Sequence, residues 1–150
     1  MARDTDAASP QGSRNMSWTD NLLTGITEID NQHQTLFDML ARLEATVGTP
    51  RSWAAVHFAL VELSDYVRIH FTVEEALMRL HGYADLERHI AQHHEFISVL
   101  ARLKHEAIVR DIGQDMVRFL RNWLTSHIGR SDQDYVSRLR TGPVEGLAPA

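Results

Sequence analysis

The sequence predicts an all-α protein folded as an up-down-up-down four-helix bundle with an N-terminal arm. Three observations carry this. Apolar residues recur at alternating steps of three and four through four long segments, the signature of helices that each bury one face. Helix-stopping and helix-starting residues fall between those segments at short intervals, so sequential helices run antiparallel. Almost no stretch shows the two-residue alternation of a strand.

The elements follow in order. Residues 1–15 (MARDTDAASPQGSRN) are small and polar and are expected to form a disordered tail; they hold Asp4 and Asp6, lack an apolar segment, and do not read as a secretory signal. Residues 16–25 form an arm whose Trp18, Leu22 and Leu23 are expected to pack on the bundle, itself expected over residues 16–138. The first helical stripe is Ile26, Ile29, His33, Leu36, Leu40, Leu43 and Val47. Thr49-Pro50 suits an N-cap and first helical position for the second, which reads Val56, Leu60, Leu63, Val67, His70, Glu74 and Leu77. His81-Gly82 suits its end. Asp85 starts a third stripe of Leu86, His89, His93, Phe96, Leu100, Leu103 and Ala107. Asp111, with Gln114 three residues on, resembles a capping box for the fourth: Ile112, Met116, Leu120, Trp123 and His127. From Arg140 onward two prolines and two glycines oppose a helix, so residues 139–150 are expected to be a flexible tail.

Composition excludes several classes. The 150 residues suit one domain with a real core. The absence of cysteine removes disulfides and thiolate metal sites. A net charge of −5 with interspersed signs argues against nucleic acid as a partner. No apolar run approaches the length of a bilayer span, so no membrane association is expected and a cytoplasmic location is.

Ionisable residues stand where such a bundle puts its core. His33, His70, Glu74, His89, His93 and His127 lie on the four stripes, and Asp132 follows His127 by five positions. Neutral imidazoles and carboxylates are costly to bury without partners. His70 and Glu74, four apart, share a helix face about 6 Å along the axis, and His89 and His93 repeat that spacing. Asp132 is offset from His127 by about 140° on a regular helix, so it reaches the same centre only if the helix bends or loosens, with Gly129 the expected place. A lone histidine on an apolar face is ordinarily a hydrogen-bonded core residue; one on every stripe reads as a ligand set. Seven ligands are too many for one tetrahedral zinc and fit two metals with bridging carboxylates. Imidazole with carboxylate suits Fe, Zn, Cu or Mn rather than Mg or Ca.

The remaining histidines serve as a control. His57 and His105 lie off the stripes and are expected in solvent. His94 is turned about 100° from His93 and faces away. His81 lies about 10 Å along the helix from Glu74 and is read as a helix-end residue.

Taken together, W-x6-G-I-x2-I-D-x-Q-H (Trp18 to His33), HFTVEEALM (His70 to Met78), Gly82-Tyr83, H-x3-H (His89, His93) and WLTSHIGRSDQDY (Trp123 to Tyr135) resemble the hemerythrins, specifically the bacterial ones, over about residues 16–136. The resemblance implies two non-haem iron ions per chain with an oxo or hydroxo bridge. His89, His93 and His127 would hold one iron with no open position. His33 and His70 would hold the other, with a vacancy for O₂, and Glu74 and Asp132 would bridge. It also implies that O₂ takes one electron from each iron together with the bridge proton, so the buried centre keeps its net charge. Leu36, Phe71, Met78, Trp123, Leu124 and Ile128 would line the O₂ pocket and exclude water.

Reversible O₂ binding, as a carrier, store or scavenger and not an enzyme, is therefore the leading expectation. An O₂- or redox-sensing module with the same centre, a di-iron enzyme acting on peroxide or nitric oxide, and a zinc-stapled bundle compete with it. The enzyme would need an acid–base group beside the vacancy, and the sequence nominates none beyond the ligands. A zinc staple would waste an open position. The sequence names no protein partner.

Overall fold

The computed structural model describes residues 18–141; the predicted tail over residues 1–15 lies outside them. After a short 3₁₀ turn at Asp20–Leu22 come α1 (Thr27–Thr46), α2 (Ser52–Leu80), α3 (Leu86–Glu106) and α4 (Gly113–Ser126). A six-residue π-helical turn (His127–Asp132) and α5 (Gln133–Thr141) extend α4, so the fourth helix runs from 113 to 141. Its end at Thr141 lies two residues inside the stretch expected to oppose a helix. The fold is a four-helix bundle, with no strand among the described residues.

The stripes become the core. Leu36, Leu40, Leu43, Leu60, Leu63, Val67, Phe96, Leu100, Met116, Leu120 and Leu124 are all buried in one cluster, and each contributes roughly 1.5–3 kcal/mol by leaving water. α1 packs on α2 and α4, and α2 on α3. Between α3 and α4 aromatic rings fill the space: Phe96 meets Phe119 at 5.2 Å and Trp123 at 4.4 Å between centroids.

Local chemistry fixes the ends. Past α2, Gly82 takes φ +62°, Gly82 N–H donates to Arg79 O and Tyr83 N–H to Met78 O, the paired bonds of a Schellman stop. Asp85 begins α3 as read, but its carboxylate turns to Arg88 and Arg138 instead of capping. The N-cap of α4 falls one residue later than read, at Ile112; the Asp111 carboxylate still accepts from Gly113 N–H at 2.9 Å, without a returning bond from Gln114. The second helix starts two residues later than Thr49-Pro50 suggested, at Ser52; Pro50 sits in the turn, and the Thr49 hydroxyl donates back to Thr46 O.

The arm is tied down at its end. The Asp30 carboxylate accepts from Thr24 N–H and O–H, both at 2.7 Å, and from Gly25 N–H at 3.0 Å, with Gly25 at φ +83°. The Gln133 amide donates to Leu22 O and Leu23 O. Trp18 and Leu22 pack on the core, Trp18 edge-on to Phe37 at 5.7 Å, whereas Leu23 is 44% exposed and does not pack as expected. Because Trp18 is only half-buried, Trp18→Ala is expected to cost about 1–2 kcal/mol rather than the ~3–5 of a fully buried ring; urea unfolding of the two forms measures this.

Candidate metal centre

All seven ionisable residues converge. His33 comes from α1, His70 and Glu74 from α2, His89 and His93 from α3, and His127 and Asp132 from the π turn. None is more than 4% exposed. The π turn answers the geometric objection to Asp132. Its wider i→i+5 winding carries residue 132 back over residue 127, and Asp132 Oδ1 lies 3.1 Å from His127 Nε2. Glycine is not what permits it. Gly129 has no positive φ, and a Cβ there would meet only Leu22 Cδ2 at 3.8 Å, an ordinary contact.

The carboxylates divide their oxygens between two sets of imidazoles. Glu74 Oε1 faces His33 Nε2 (3.3 Å) and His70 Nε2 (3.6 Å), while Oε2 faces His93 Nε2 (3.2 Å) and His89 Nε2 (3.6 Å). Asp132 Oδ2 faces His33 Nε2 at 3.0 Å, and Oδ1 faces His89 Nε2 and His127 Nε2, each at 3.1 Å. Two donor groups result: Glu74, His89, His93, His127 and Asp132, and His33, His70, Glu74 and Asp132. Both carboxylates belong to both.

These donors fit cations better than one another. Both oxygens of Glu74 and of Asp132, and the Nε2 atoms of His33 and His89, are buried without a properly directed hydrogen bond. So many orphaned polar atoms in one core are too costly to be structural. Two donors about 2.1 Å from a shared cation and 90° apart would stand about 3.0 Å from each other, close to the spacings here.

Further residues orient the imidazoles. His70 Nδ1–H donates to Gln32 Oε1 at 2.7 Å, and Gln32 Nε2 donates to Glu28 Oε1. His93 Nδ1–H donates to Glu75 Oε1 at 2.9 Å. An acceptor on Nδ1 sets the tautomer and leaves the Nε2 lone pair aimed inward. The sequence reading missed Gln32, Glu75 and Tyr135. Gln32 and Glu75 each directly adjoin a candidate donor in sequence, next to His33 and Glu74, and that adjacency was the available signal. Tyr135 lies one turn beyond Asp132 and is fully buried, its ring 5.5 Å from His89.

The electrostatics follow from burial against charge. Burial pulls His33 and His89 down, but the carboxylates of Asp132 and Glu74, 3.0–3.6 Å from their Nε2 atoms, outweigh it and raise both to about 9. Burial dominates at His70, lowering it to about 4 despite the charge of Glu74. Glu74 and Asp132 are held well below the usual carboxylate range: burial raises them, and the surrounding imidazoles more than reverse it. Burial, then the charges of Glu74 and Asp132, lifts the Tyr135 phenol far above its ordinary value.

The residues expected to line a pocket divide. Leu36, Phe71, Leu124 and Ile128 are buried in the main core beside the centre; Met78 joins a second cluster with Tyr83, Tyr135 and Val136. Phe71 stacks on His93 at 3.8 Å, and the half-buried Trp123 stacks on His127 at 4.1 Å. Of the control histidines, His94 and His105 are exposed, and His81 ends α2 with Nδ1 2.8 Å from Leu77 O. His57 is half-buried instead of solvated, packed on Trp53 at 4.3 Å.

Comparison with known proteins decides the family. The family model for the hemerythrin HHE cation binding domain matches residues 24–139. This chain belongs to the hemerythrin family. It is 38% identical over 123 residues to a bacteriohemerythrin of Methylococcus capsulatus, covering 80% of this chain and 93% of that one. A bacteriohemerythrin of Pseudomonas aeruginosa is 36% identical, with 82% and 80% covered. The crystal structure of a wild-type hemerythrin superposes with a TM-score of 0.75 at 36% identity, over 83% of this chain and 97% of that one. In this chain the four-helix bundle surrounds a buried His/Glu/Asp cluster whose donor atoms could hold cations. No helix among the described residues is long and apolar enough to cross a membrane.

Proposed function

We propose that the chain holds two non-haem iron ions, with a solvent-derived oxo or hydroxo bridge, and binds O₂ reversibly as a carrier, store or scavenger. The observation that carries this is the unequal division of imidazoles around shared carboxylates. His89, His93 and His127 would complete one iron; His33 and His70 would leave the other short of one donor, which is room for a small ligand. When bound, the iron pair supplies two electrons to O₂ and recovers them on release. Glu74 and Asp132 hold the pair together, and Gln32 and Glu75 fix the tautomers of His70 and His93. Leu36, Phe71, Met78, Leu124 and Ile128, with Trp123 over His127, surround the cluster with apolar surface that excludes water and protons. The relatives named bacteriohemerythrin point the same way.

Gas uptake tests the proposal. The reduced, iron-loaded protein is expected to take up one O₂ per two irons and return it when the gas is removed. Leu124→Ala is expected to speed conversion to the ferric form while leaving iron content unchanged, because Leu124 shields and donates nothing. Repeated consumption of O₂, peroxide or nitric oxide with a reductant, with product released in place of the original gas, would replace the carrier by an enzyme.

A further inference from the structure

Every helix of a free-standing bundle has an outward face, and three of these four are ordinary. Outward positions of α1 include Gln34, Asp38 and Arg42; those of α3 include Glu87, Glu95 and Arg102; those of α4 include Gln114, Arg118 and Asn122. The outer face of α2 is different. Phe58, Val61, Ile69 and Leu80 are 69%, 53%, 63% and 80% exposed. With exposed Ala54, Asp65, Thr72 and Ala76 they recur at intervals of four, three, four, four, three, four and four residues. That eleven-residue rhythm keeps a stripe on one side of a nearly straight helix. It lies opposite the stripe that faces the core, so α2 is apolar on two sides.

Asp65 interrupts the stripe near its middle, and Arg68 flanks it beside Ile69. They are one turn apart and exposed, and among the described residues neither forms an ion pair or a side-chain hydrogen bond. Several surface charges are matched within the chain, Arg42 with Glu62, Arg79 with Glu75, Arg110 with Glu106 and Asp115, while others, such as Glu95 and Arg102 on α3, stand open like these two but not beside an apolar stripe. An acid and a base left open on an apolar helix face are self-complementary under a two-fold axis.

We infer that the outer face of α2 is a docking surface for a second copy of this chain, packed antiparallel with Asp65 of each chain opposite Arg68 of the other. That register also sets Val61 over Thr72 and brings the large Phe58 within one residue of the level of the small Ala76. Size fixes the strength. Twenty-nine residues make a helix about 43 Å long and, at about 10 Å wide, a footprint of about 430 Å². This is well short of the roughly 800 Å² per partner of a standard interface, so the dimer is weak and reversible. The inference does not depend on what the metal centre binds.

Sedimentation equilibrium of the full iron-loaded chain from micromolar to millimolar concentration tests it. The wild type is expected to pass from monomer to dimer over that range. Ile69→Glu, Asp65→Arg and Arg68→Asp are each expected to weaken self-association about tenfold or more, with helicity and iron content unchanged, because none of the three touches the core. The decisive arm mixes two variants. Asp65→Arg repels itself and Arg68→Asp repels itself, but an antiparallel pair of one with the other restores both opposite-charge contacts, so the mixture is expected to associate at least as well as the wild type. A chain that stays monomeric at millimolar concentration, or a dimer indifferent to all three substitutions, overturns the inference and gives this face to another kind of partner. Weakening by the single variants without recovery in the mixture overturns the antiparallel register.

Discussion

Replacing Glu74 with alanine is expected to strip the chain of most of its iron, to well under one ion per chain after reconstitution. Its two oxygens face different imidazole sets, His33 and His70 on one side, His89 and His93 on the other, so one substitution removes a donor from both groups. It also removes an anion from between two cations. Dications about 3.5–4 Å apart repel with on the order of 15–20 kcal/mol at an effective dielectric near 20, and shared carboxylates make such a pair tolerable. Glu74→Gln, which keeps the shape and loses the charge, is expected to fall between alanine and wild type. Asp132→Ala should resemble Glu74→Ala, since Oδ1 and Oδ2 divide in the same way. His94→Ala, on the exposed side of α3, is the control and should keep full iron. Metal analysis beside circular dichroism separates lost metal from lost fold. Two irons per chain in both carboxylate variants would remove the bridging role.

The metal centre was unevenly legible in the sequence, for physical reasons. Helix periodicity is a strong signal because a bundle's core is a repeated demand along each helix, and the stripes led directly to His33, His70, Glu74, His89, His93 and His127. Asp132 was less legible because its placement depends on a change of helical winding. A π turn leaves no compositional mark, and the glycine that suggested a bend proves unnecessary to it. The start of α2 was misplaced because Thr49-Pro50 carries the chemistry of a cap while the chain uses it as a turn. Leu23 misled for the opposite reason: the carbonyls of Leu22 and Leu23 serve the Gln133 amide, so backbone bonding, not the side chain, holds that part of the arm. Gln32 and Glu75 escaped notice because their roles exist only across helices, in bonds to imidazoles of α2 and α3 respectively.

The metal-free and iron-loaded forms are expected to answer pH in opposite directions above neutrality. In the metal-free chain His33 and His89, raised to about 9 from 6.5, carry the protons that neutralise Glu74 and Asp132. A folded pKa above the unfolded one stabilises fully below about 6.5, and the contribution is lost as pH climbs through 9. The shift corresponds to at most about 3 kcal/mol per imidazole, and less for two that share the same carboxylates. On the acid side the signs reverse. His70, lowered to about 4, resists protonation that the unfolded chain accepts, so its folded state loses stability as pH falls from 6.5 toward 4. The depressed Glu74 and Asp132 stabilise above their ordinary values and lose that contribution on further acidification. The metal-free bundle should therefore be most stable at about pH 6.5 and should weaken by several degrees in Tm between 6.5 and 9. Iron reverses the alkaline limb, because donors must be deprotonated to bind it and loading displaces the protons on His33 and His89. The Tm difference between loaded and metal-free protein should widen from pH 6.5 to 9, and loading near pH 7.5 in weak buffer should release up to about two protons from those imidazoles. Calorimetric melts of both forms across that range, with an indicator dye during loading, measure each quantity. Parallel pH profiles with no proton release would mean that His33 and His89 are not the groups that iron displaces.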